Sequence, residues 1–129
     1  MRKGEFDNEM TPQRRERKTK TAQQALQSLM RLCARSEKST GDALRLMRTW
    51  GVPEAEQRAV LDKLLADRYI DNCRYAEAYT REKSQLSGWG ERKIAMQLRL
   101  KGVERETISA VLAELMDDDA KQERLREKL

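Results

Sequence analysis

The side chains that could do chemistry in this chain are mostly cationic, and they are concentrated between residues 81 and 101. This stretch carries six Lys or Arg residues against two Glu. The cations are Arg81, Lys83, Arg92, Lys93, Arg99 and Lys101. Such side chains neutralise phosphates and carboxylates, and the formal charge of the whole chain is +5. The composition therefore favours an acidic partner, with nucleic acid first.

Constellations for catalysis or metal binding are missing from the sequence. The chain has no His, which excludes a Ser-His-Asp triad, a Cys-His pair and an imidazole-ligated metal. Cys33 and Cys73 form no CxxC motif, and we expect two reduced thiols that serve as small core residues. Asp117–Asp119 could bind a divalent cation, but capping of a helix that starts near Ala120 is favoured. We expect a protein that is not an enzyme and uses no cofactor or metal.

Targeting and membrane signals are also missing from the sequence. No apolar run approaches the roughly 18 residues of a membrane span. The first residues lack the apolar stretch of a secretory signal. We expect a cytoplasmic monomer that makes no contact with a membrane.

The elements that must position the cations are helices, because apolar residues recur at helical spacing and no segment alternates with period two. Residues 51–67 align with residues 102–118 at an offset of 51, with seven identities. The identical pairs are Gly51/Gly102, Val52/Val103, Ala59/Ala110, Val60/Val111, Leu61/Leu112, Leu64/Leu115 and Asp67/Asp118. A fixed period is typical of stacked units. We predict an all-α fold of tandem three-helix, helix-turn-helix-like repeats that form an elongated, curved array.

The periodicity divides the chain into four segments. They are a basic, flexible N-terminal arm over residues 1–21, a three-helix repeat over 22–71, a second over 72–118, and the first helix of a truncated third over 119–129. Ser39 and Asp42 predict a capping box at the start of one helix. Gly51 predicts a left-handed residue at the end of this same helix, and Gly102 predicts one at the end of the corresponding helix of the second repeat.

The helix over residues 91–101 has two unlike faces. Ile94, Leu98 and the stem of Lys101 share the face predicted to meet the core. The other face carries Arg92, Lys93, Met96, Arg99 and Leu100. Two large apolar side chains are rare on a purely solvated face. The mixture suits a surface that meets both phosphates and a protein, and the alternative is that Met96 and Leu100 pack against the next repeat.

The aromatic residues are interpreted mainly as structural. Helical spacing predicts that Tyr75, Tyr79, Glu82 and Leu86 line the buried face of the helix before the cationic one. Trp89 is either a core residue or an exposed stacking surface, and the core is favoured because an indole buries a large apolar area. The other residues interpreted as structural are Trp50 and Tyr69.

Three stretches in fixed order resemble the RecX family of recombination regulators. They are Arg68–Ala76 (RYIDNCRYA), Gly88–Ile94 (GWGERKI) and Lys101–Val103 (KGV). The resemblance covers about residues 22–118. It implies tandem three-helix repeats that bind in the groove of the RecA filament on DNA. It further implies inhibition of the RecA ATPase and of strand exchange, without enzyme activity of the regulator itself.

The resemblance also points to particular side chains. It marks Arg92 and Lys93 as candidates for the basic inner surface of the family, and Arg74 and Arg81 as exposed candidates on the preceding helix. The first repeat has Ser39–Asp42 at the start of its second helix, with less positive charge than many relatives show, which predicts a weaker role in contacts. The full candidate set for partner or DNA binding is Arg74, Arg81, Lys83, Arg92, Lys93, Met96, Arg99 and Lys101.

Two functions remain open from the sequence. One is a regulator of the RecA filament that also binds single-stranded and double-stranded DNA weakly and without sequence preference. The alternative is a stand-alone, helix-turn-helix-like DNA-binding protein. The helices after the Gly turns start with Pro53–Glu56 and Glu104–Glu106, and acidic first turns approach phosphates poorly. This feature favours the filament regulator.

Overall fold

The computed structural model describes residues 19–128, without the side chains of residues 117–128. Six α-helices and the turns between them make up this range, which contains no strand. The helices are α1 (Ala22–Arg35), α2 (Thr40–Thr49), α3 (Glu54–Ala66), α4 (Asn72–Gln85), α5 (Glu91–Leu100) and α6 (Arg105–Lys128). The predicted all-α fold is confirmed. Nearly all of the predicted N-terminal arm lies outside the described residues.

Helices α1 to α3 form a first unit, in which α1 and α2 both pack on α3. Capping boxes start α1 at Thr21 and α2 at Ser39, so the predicted box of Ser39 with Asp42 is confirmed. Burying the apolar stripes of these short helices stabilises them far more than their intrinsic propensity does. The buried core is Ala25, Leu29, Ala43, Met47, Val52, Val60, Leu61, Leu64 and Ile70.

Helices α4, α5 and α6 pack on one another and form a second unit. Its buried core is Tyr75, Ala76, Ile94, Leu98, Val103, Ile108, Val111 and Leu112. Most of these positions lie 51 residues after a buried position of the first unit. Such pairs are Ala25/Ala76, Ala43/Ile94, Met47/Leu98, Val52/Val103, Val60/Val111 and Leu61/Leu112. Residues that lie 51 positions apart are therefore buried alike in the two units, as the predicted helical repeat requires.

Both predicted glycine turns are present. Gly51 has φ +71° and Gly102 has φ +87°, which is the left-handed region where a side chain is strained. The amides of Val52 and Val103 then donate to carbonyls five residues earlier, at 3.0 and 3.1 Å. This bond closes a Schellman motif and turns the chain sharply into the last helix of each unit.

One helix boundary differs from the sequence prediction. Helix α6 runs without interruption through Asp117–Asp119, so the predicted cap there and the predicted helix start near Ala120 are wrong. No Gly or Pro interrupts the sequence between Arg105 and Lys128. An Asp inside a helix costs well under about 1 kcal/mol relative to Ala, which is too little to end a long helix. The division of the chain into four segments stays a prediction.

A second difference concerns Leu86. The helical spacing predicted a buried side chain, but Leu86 is 83% exposed, so this prediction is wrong. Glu82, one turn earlier, is exposed as well, so its predicted place on the buried face is also wrong. Both residues lie in the last turn of α4 or at its C-terminal cap, past Tyr79, whose ring still packs on the second core.

Candidate partner-binding surface

The outer side of α5 carries most of the predicted contact residues. Ile94 and Leu98 are completely buried in the second unit, and this fixes the rotation of the helix about its axis. The opposite side chains are exposed, and we call them the α5 face. They are Arg92, Lys93, Met96, Arg99 and Leu100.

The two apolar side chains of the α5 face are open to solvent. Met96 is 59% exposed and Leu100 is 73% exposed. The alternative that they pack against a neighbouring repeat does not hold in the described part of the chain. Cations and large apolar groups therefore share one surface, a mixture found where a charged protein surface is recognised.

A shallow groove of about 340 Å³ runs beside Met96, between α5 and α6. Its lining residues are Ala95, Met96, Arg99, Arg105, Ile108, Ser109 and Leu112. The floor is largely apolar, and Arg99 and Arg105 are the two charged groups in the lining. Sequence reasoning missed Arg105 because it lies on another helix and joins the groove only through packing.

Trp89 gathers two of the predicted cations into an aromatic cluster. The Lys83 and Lys93 ammonium groups lie 4.9 and 4.3 Å from the centroid of its ring. The ring meets Tyr79 edge-on at 6.3 Å and packs on the second core. A cation over an aromatic ring gains about 0.5–1 kcal/mol at an exposed site. Trp89 is thus a residue of the core rim that also holds two lysines close to the α5 face.

The tyrosines beneath this cluster are structural, as the sequence analysis interpreted them. Tyr75 is buried and its ring stacks on Tyr79 at 5.8 Å. Burial raises the pKa of both phenols above the ordinary value of 10.0. Both rings are therefore neutral near pH 7 and add no charge to the basic surface.

Arg74 is held in place by several contacts rather than projecting freely from α4. Its Nε donates to Glu37 Oε2 at 2.7 Å, and its Nη2 donates to the carbonyls of Arg68 and Tyr69 at 3.1 and 3.3 Å. The hydrogen bond to Glu37 raises the pKa of Arg74 above its ordinary value. The sequence predicts an exposed Arg74, but the structure places it half-buried, where it connects the turn after α1 to α4.

Lys101 is also occupied by contacts between the units. Its Nζ lies 3.4 Å from Asp42 Oδ1, and its carbonyl accepts a hydrogen bond from the Gly41 amide at 2.9 Å. Burial alone would raise the pKa of Asp42, but the Ser39 amide and the charges of Lys101 and Arg45 outweigh it and lower the pKa. Asp42 is thus held as a carboxylate between the units.

These contacts belong to a polar junction that joins the two units. Thr40 and Asn72 exchange hydrogen bonds at 3.2 and 3.3 Å, and both donate to the carbonyl of Gly102. A Cβ on Gly41 would lie 2.5 Å from the Lys101 carbonyl oxygen, so only glycine permits this approach. We call these five residues the junction. It sets the position of the α5 face relative to the first unit.

The structure therefore separates the eight predicted residues into two groups. Arg74 and Lys101 lie at or beside the junction. The other six lie away from it, on α4 and α5. They are Arg81, Lys83, Arg92, Lys93, Met96 and Arg99.

Metal-ligand clusters and membrane spans are absent from the described part of the chain. No group of three or more acidic or Cys side chains there could hold a metal ion. Each helix of this part is either too short or too polar to span a lipid bilayer.

Comparison with known proteins points to one family. Residues 71–112 match the family model described as RecX, second three-helix domain. Regulatory protein RecX of Mycolicibacterium vanbaalenii is 31% identical over 115 residues, which is 89% of this chain and 61% of that protein. The RecX of Mycolicibacterium smegmatis is 39% identical over 83 residues, covering 61% of this chain and 44% of that protein. The chain thus spans about half the length of these relatives.

A solved structure shows the same fold. The crystal structure of a regulatory protein RecX superposes with a TM-score of 0.67 at 22% identity. The superposition covers 72% of this chain and 47% of that protein. The predicted resemblance in sequence and the predicted helical repeat are both confirmed.

Proposed function

Since the chain is related to the RecX family of regulatory proteins, we propose that it inhibits the RecA recombinase. It binds in the groove of the RecA–DNA filament and lowers ATP hydrolysis and strand exchange. It acts as a monomer in the cytoplasm, catalyses no reaction itself, and touches the single- or double-stranded DNA weakly and without sequence preference.

The observation that carries this proposal is the α5 face. Arg92, Lys93 and Arg99 offer charge to acidic groups and phosphates, while Met96 and Leu100 offer exposed apolar area beside them. Arginine and methionine are enriched in protein interfaces for these reasons. A surface that only bound DNA would gain little from two exposed apolar side chains, since phosphate contacts depend on cations.

The junction supports a mechanism in which several weak contacts act together. Because polar bonds hold the two units in one arrangement, a second contact made by the same molecule benefits from a high effective concentration. Bridging of neighbouring RecA protomers would then resist the changes that accompany ATP hydrolysis. Occupation of the groove would also obstruct an incoming duplex.

ATP hydrolysis by RecA on single-stranded DNA tests the proposal, with this protein titrated from far below the RecA concentration up to equality. We expect inhibition at substoichiometric amounts and loss of inhibition in the Arg92→Glu/Lys93→Glu variant. The matched control is Arg58→Glu/Lys63→Glu, which makes the same charge change on exposed positions of α3. Circular dichroism confirms that each variant keeps its helices.

Two results would contradict the proposal. Full inhibition by the Arg92→Glu/Lys93→Glu variant would show that the α5 face is not the site. Absence of inhibition by the parent protein, together with strongly salt-dependent DNA binding, would favour the stand-alone DNA-binding alternative.

A further inference from the structure

The first unit carries a basic cleft that is separate from the α5 face. It encloses about 380 Å³ beside α1 and the turn that follows α2. Its lining residues are Lys20, Ser28, Arg31, Leu32, Arg35 and Trp50. Three of these six residues are cations and none is acidic. We call this site the Trp50 cleft.

Within the described part of the chain, the cations of the Trp50 cleft have no acidic partner. The Lys20 amide donates to the Trp50 carbonyl at 2.9 Å, and the Lys20 ammonium lies 5.0 Å from the centroid of the indole ring. Among the described residues, the Arg31 side chain makes a single hydrogen bond, a long one of 3.4 Å to the Ser28 hydroxyl. Among the described side chains, neither Lys20, Arg31 nor Arg35 forms an ion pair with a carboxylate.

Two cations of the Trp50 cleft repel each other. Arg31 and Arg35 are one helical turn apart on α1, where like charges destabilise a helix by a few tenths of a kcal/mol. Several carboxylates of the first unit are meanwhile engaged with other cations. Those ion pairs are Glu37–Arg74, Asp42–Arg45, Asp62–Arg58 and Asp67–Lys63. The positive charge of the cleft is therefore left for an anion from outside the described structure.

The repeat shows that the fold does not require this cleft. Positions 51 residues after Lys20, Arg31, Arg35 and Trp50 hold Asp71, Glu82, Leu86 and Lys101. The second unit forms the same helices and the same turn with these different residues. The second unit has its own cations around an indole, Lys83 and Lys93 on Trp89, but at positions that do not correspond in the repeat. The fold therefore does not require cations at the positions of the Trp50 cleft, which points to recognition rather than to folding.

We propose that the Trp50 cleft binds single-stranded nucleic acid. Arg31 and Arg35 contact successive phosphates, and the indole of Trp50 stacks on a base. Basic grooves with an aromatic platform are the usual means of binding single strands, and stacking gains about 1–3 kcal/mol per base. Base stacking stabilises the complex more than the contact between the Lys20 ammonium and the indole stabilises the free protein. When a base binds, the Lys20 ammonium therefore moves from the indole to a phosphate.

Two observations favour nucleic acid over an acidic protein segment. The first is the indole itself, because an acidic peptide needs no stacking surface. The second is the sequence that precedes Lys20, which carries Arg14, Arg15, Arg17 and Lys18 within five residues. A dense run of cations is typical of segments that follow a phosphate backbone.

Fluorescence anisotropy with a labelled oligothymidylate tests this inference on the full chain, without any recombinase. We expect Arg31→Gln/Arg35→Gln to weaken binding roughly tenfold, and to reduce the slope of log affinity against log salt by about 1.4, at about 0.7 per phosphate on a single strand. The charge-matched control, Arg58→Gln/Lys63→Gln on α3, keeps the affinity and slope of the parent. Binding also quenches the fluorescence of Trp50, and the quenching persists in a Trp89→Phe variant.

Three results would overturn the inference. An unchanged affinity and slope in the Arg31→Gln/Arg35→Gln variant would show that the cleft binds no nucleic acid. An equal loss of affinity in the Arg58→Gln/Lys63→Gln control would show that the effect comes from the overall charge of the chain and not from the cleft. Loss of binding to polyglutamate with unchanged oligothymidylate binding would assign the cleft to an acidic protein surface. These assays contain no RecA, so a negative result would count against the cleft and not against the proposed inhibition of RecA.

Discussion

When the two units are aligned at the offset of 51 residues, Met47 corresponds to Leu98 and Val52 to Val103, and all four lie in the cores. In the same alignment Trp50 corresponds to Lys101 and Arg31 to Glu82, at the surfaces. Core positions are constrained because packing is dense, so that the loss of even one methylene group lowers the stability of the fold. Surface positions escape this constraint, so each unit is free to carry a different kind of contact.

The two surfaces differ in chemistry as well as in sequence. The second unit sets exposed apolar side chains beside its cations, on the α5 face. Both units set an indole beside cations, Trp50 in the first and Trp89 in the second, but the first unit exposes no large apolar side chain among its described residues. The difference matches the two proposals, which give the protein contact to the second unit and the nucleic-acid contact to the first.

Truncation of the matched core residues is the strongest way to test whether the units are energetically equivalent. Met47 and Leu98 are both completely buried. We expect Met47→Ala and Leu98→Ala each to lower the free energy of unfolding by about 2–5 kcal/mol, because each leaves a cavity. Urea unfolding measures the two units separately. Trp50 reports on the first unit in a Trp89→Phe background, and Trp89 reports on the second unit in a Trp50→Phe background.

The same reporters show whether the units unfold together. Because the junction bonds them, either truncation is expected to shift both tryptophan transitions. A shift confined to the unit that carries the substitution would contradict energetic coupling through the junction.

Gly41→Ala tests the junction directly. Ala is normally favoured over Gly inside a helix by about 1 kcal/mol. Here its Cβ would collide with the backbone of Lys101, so we expect instead a loss of about 1–3 kcal/mol, the usual cost of overpacking. We also expect the transitions of the two units to separate. Gly90→Ala is the control, because a Cβ at Gly90 meets nothing within 4 Å.

Arg74→Met tests whether this cation is bonded within the fold or free. Loss of its bonds to Glu37 and to two carbonyls is expected to cost about 1 kcal/mol of stability. Arg81→Met, on the exposed side of the same helix, is expected to cost close to nothing. A double-mutant cycle with Glu37→Gln measures the coupling, and a coupling of zero would contradict the structural role of Arg74.

The smallest expected effect is a pH dependence from Asp42. Its pKa in the folded chain lies below the ordinary value of 3.8. The carboxylate therefore contributes stability at pH values above 3.8, and this part is lost as the pH falls through 3.8 towards the lower folded pKa. We expect Asp42→Asn to be less stable than the parent near pH 6 and to differ less from it near pH 2.5. An equal difference at both pH values would contradict this role.

Short-range patterns in the sequence were sufficient to predict much of this protein. The buried stripes, the capping box at Ser39, the turns at Gly51 and Gly102, and the exposed side of α5 all follow from residues within about one or two helical turns of each other. The helical repeat followed from comparing the chain with itself. These features depend on backbone geometry that is local, so the order of residue types is enough to indicate them.

Only the tertiary structure decided which cations are free. Arg74 and Lys101 looked like their neighbours in sequence, yet they bond to Glu37 and Asp42, which lie 37 and 59 residues away. The Trp50 cleft likewise assembles Lys20, α1 and the turn after α2. Contacts at such separations depend on how helices and units dock. Helical periodicity specifies which side of a helix is buried, whereas the partner that each exposed charge meets is determined by packing in three dimensions.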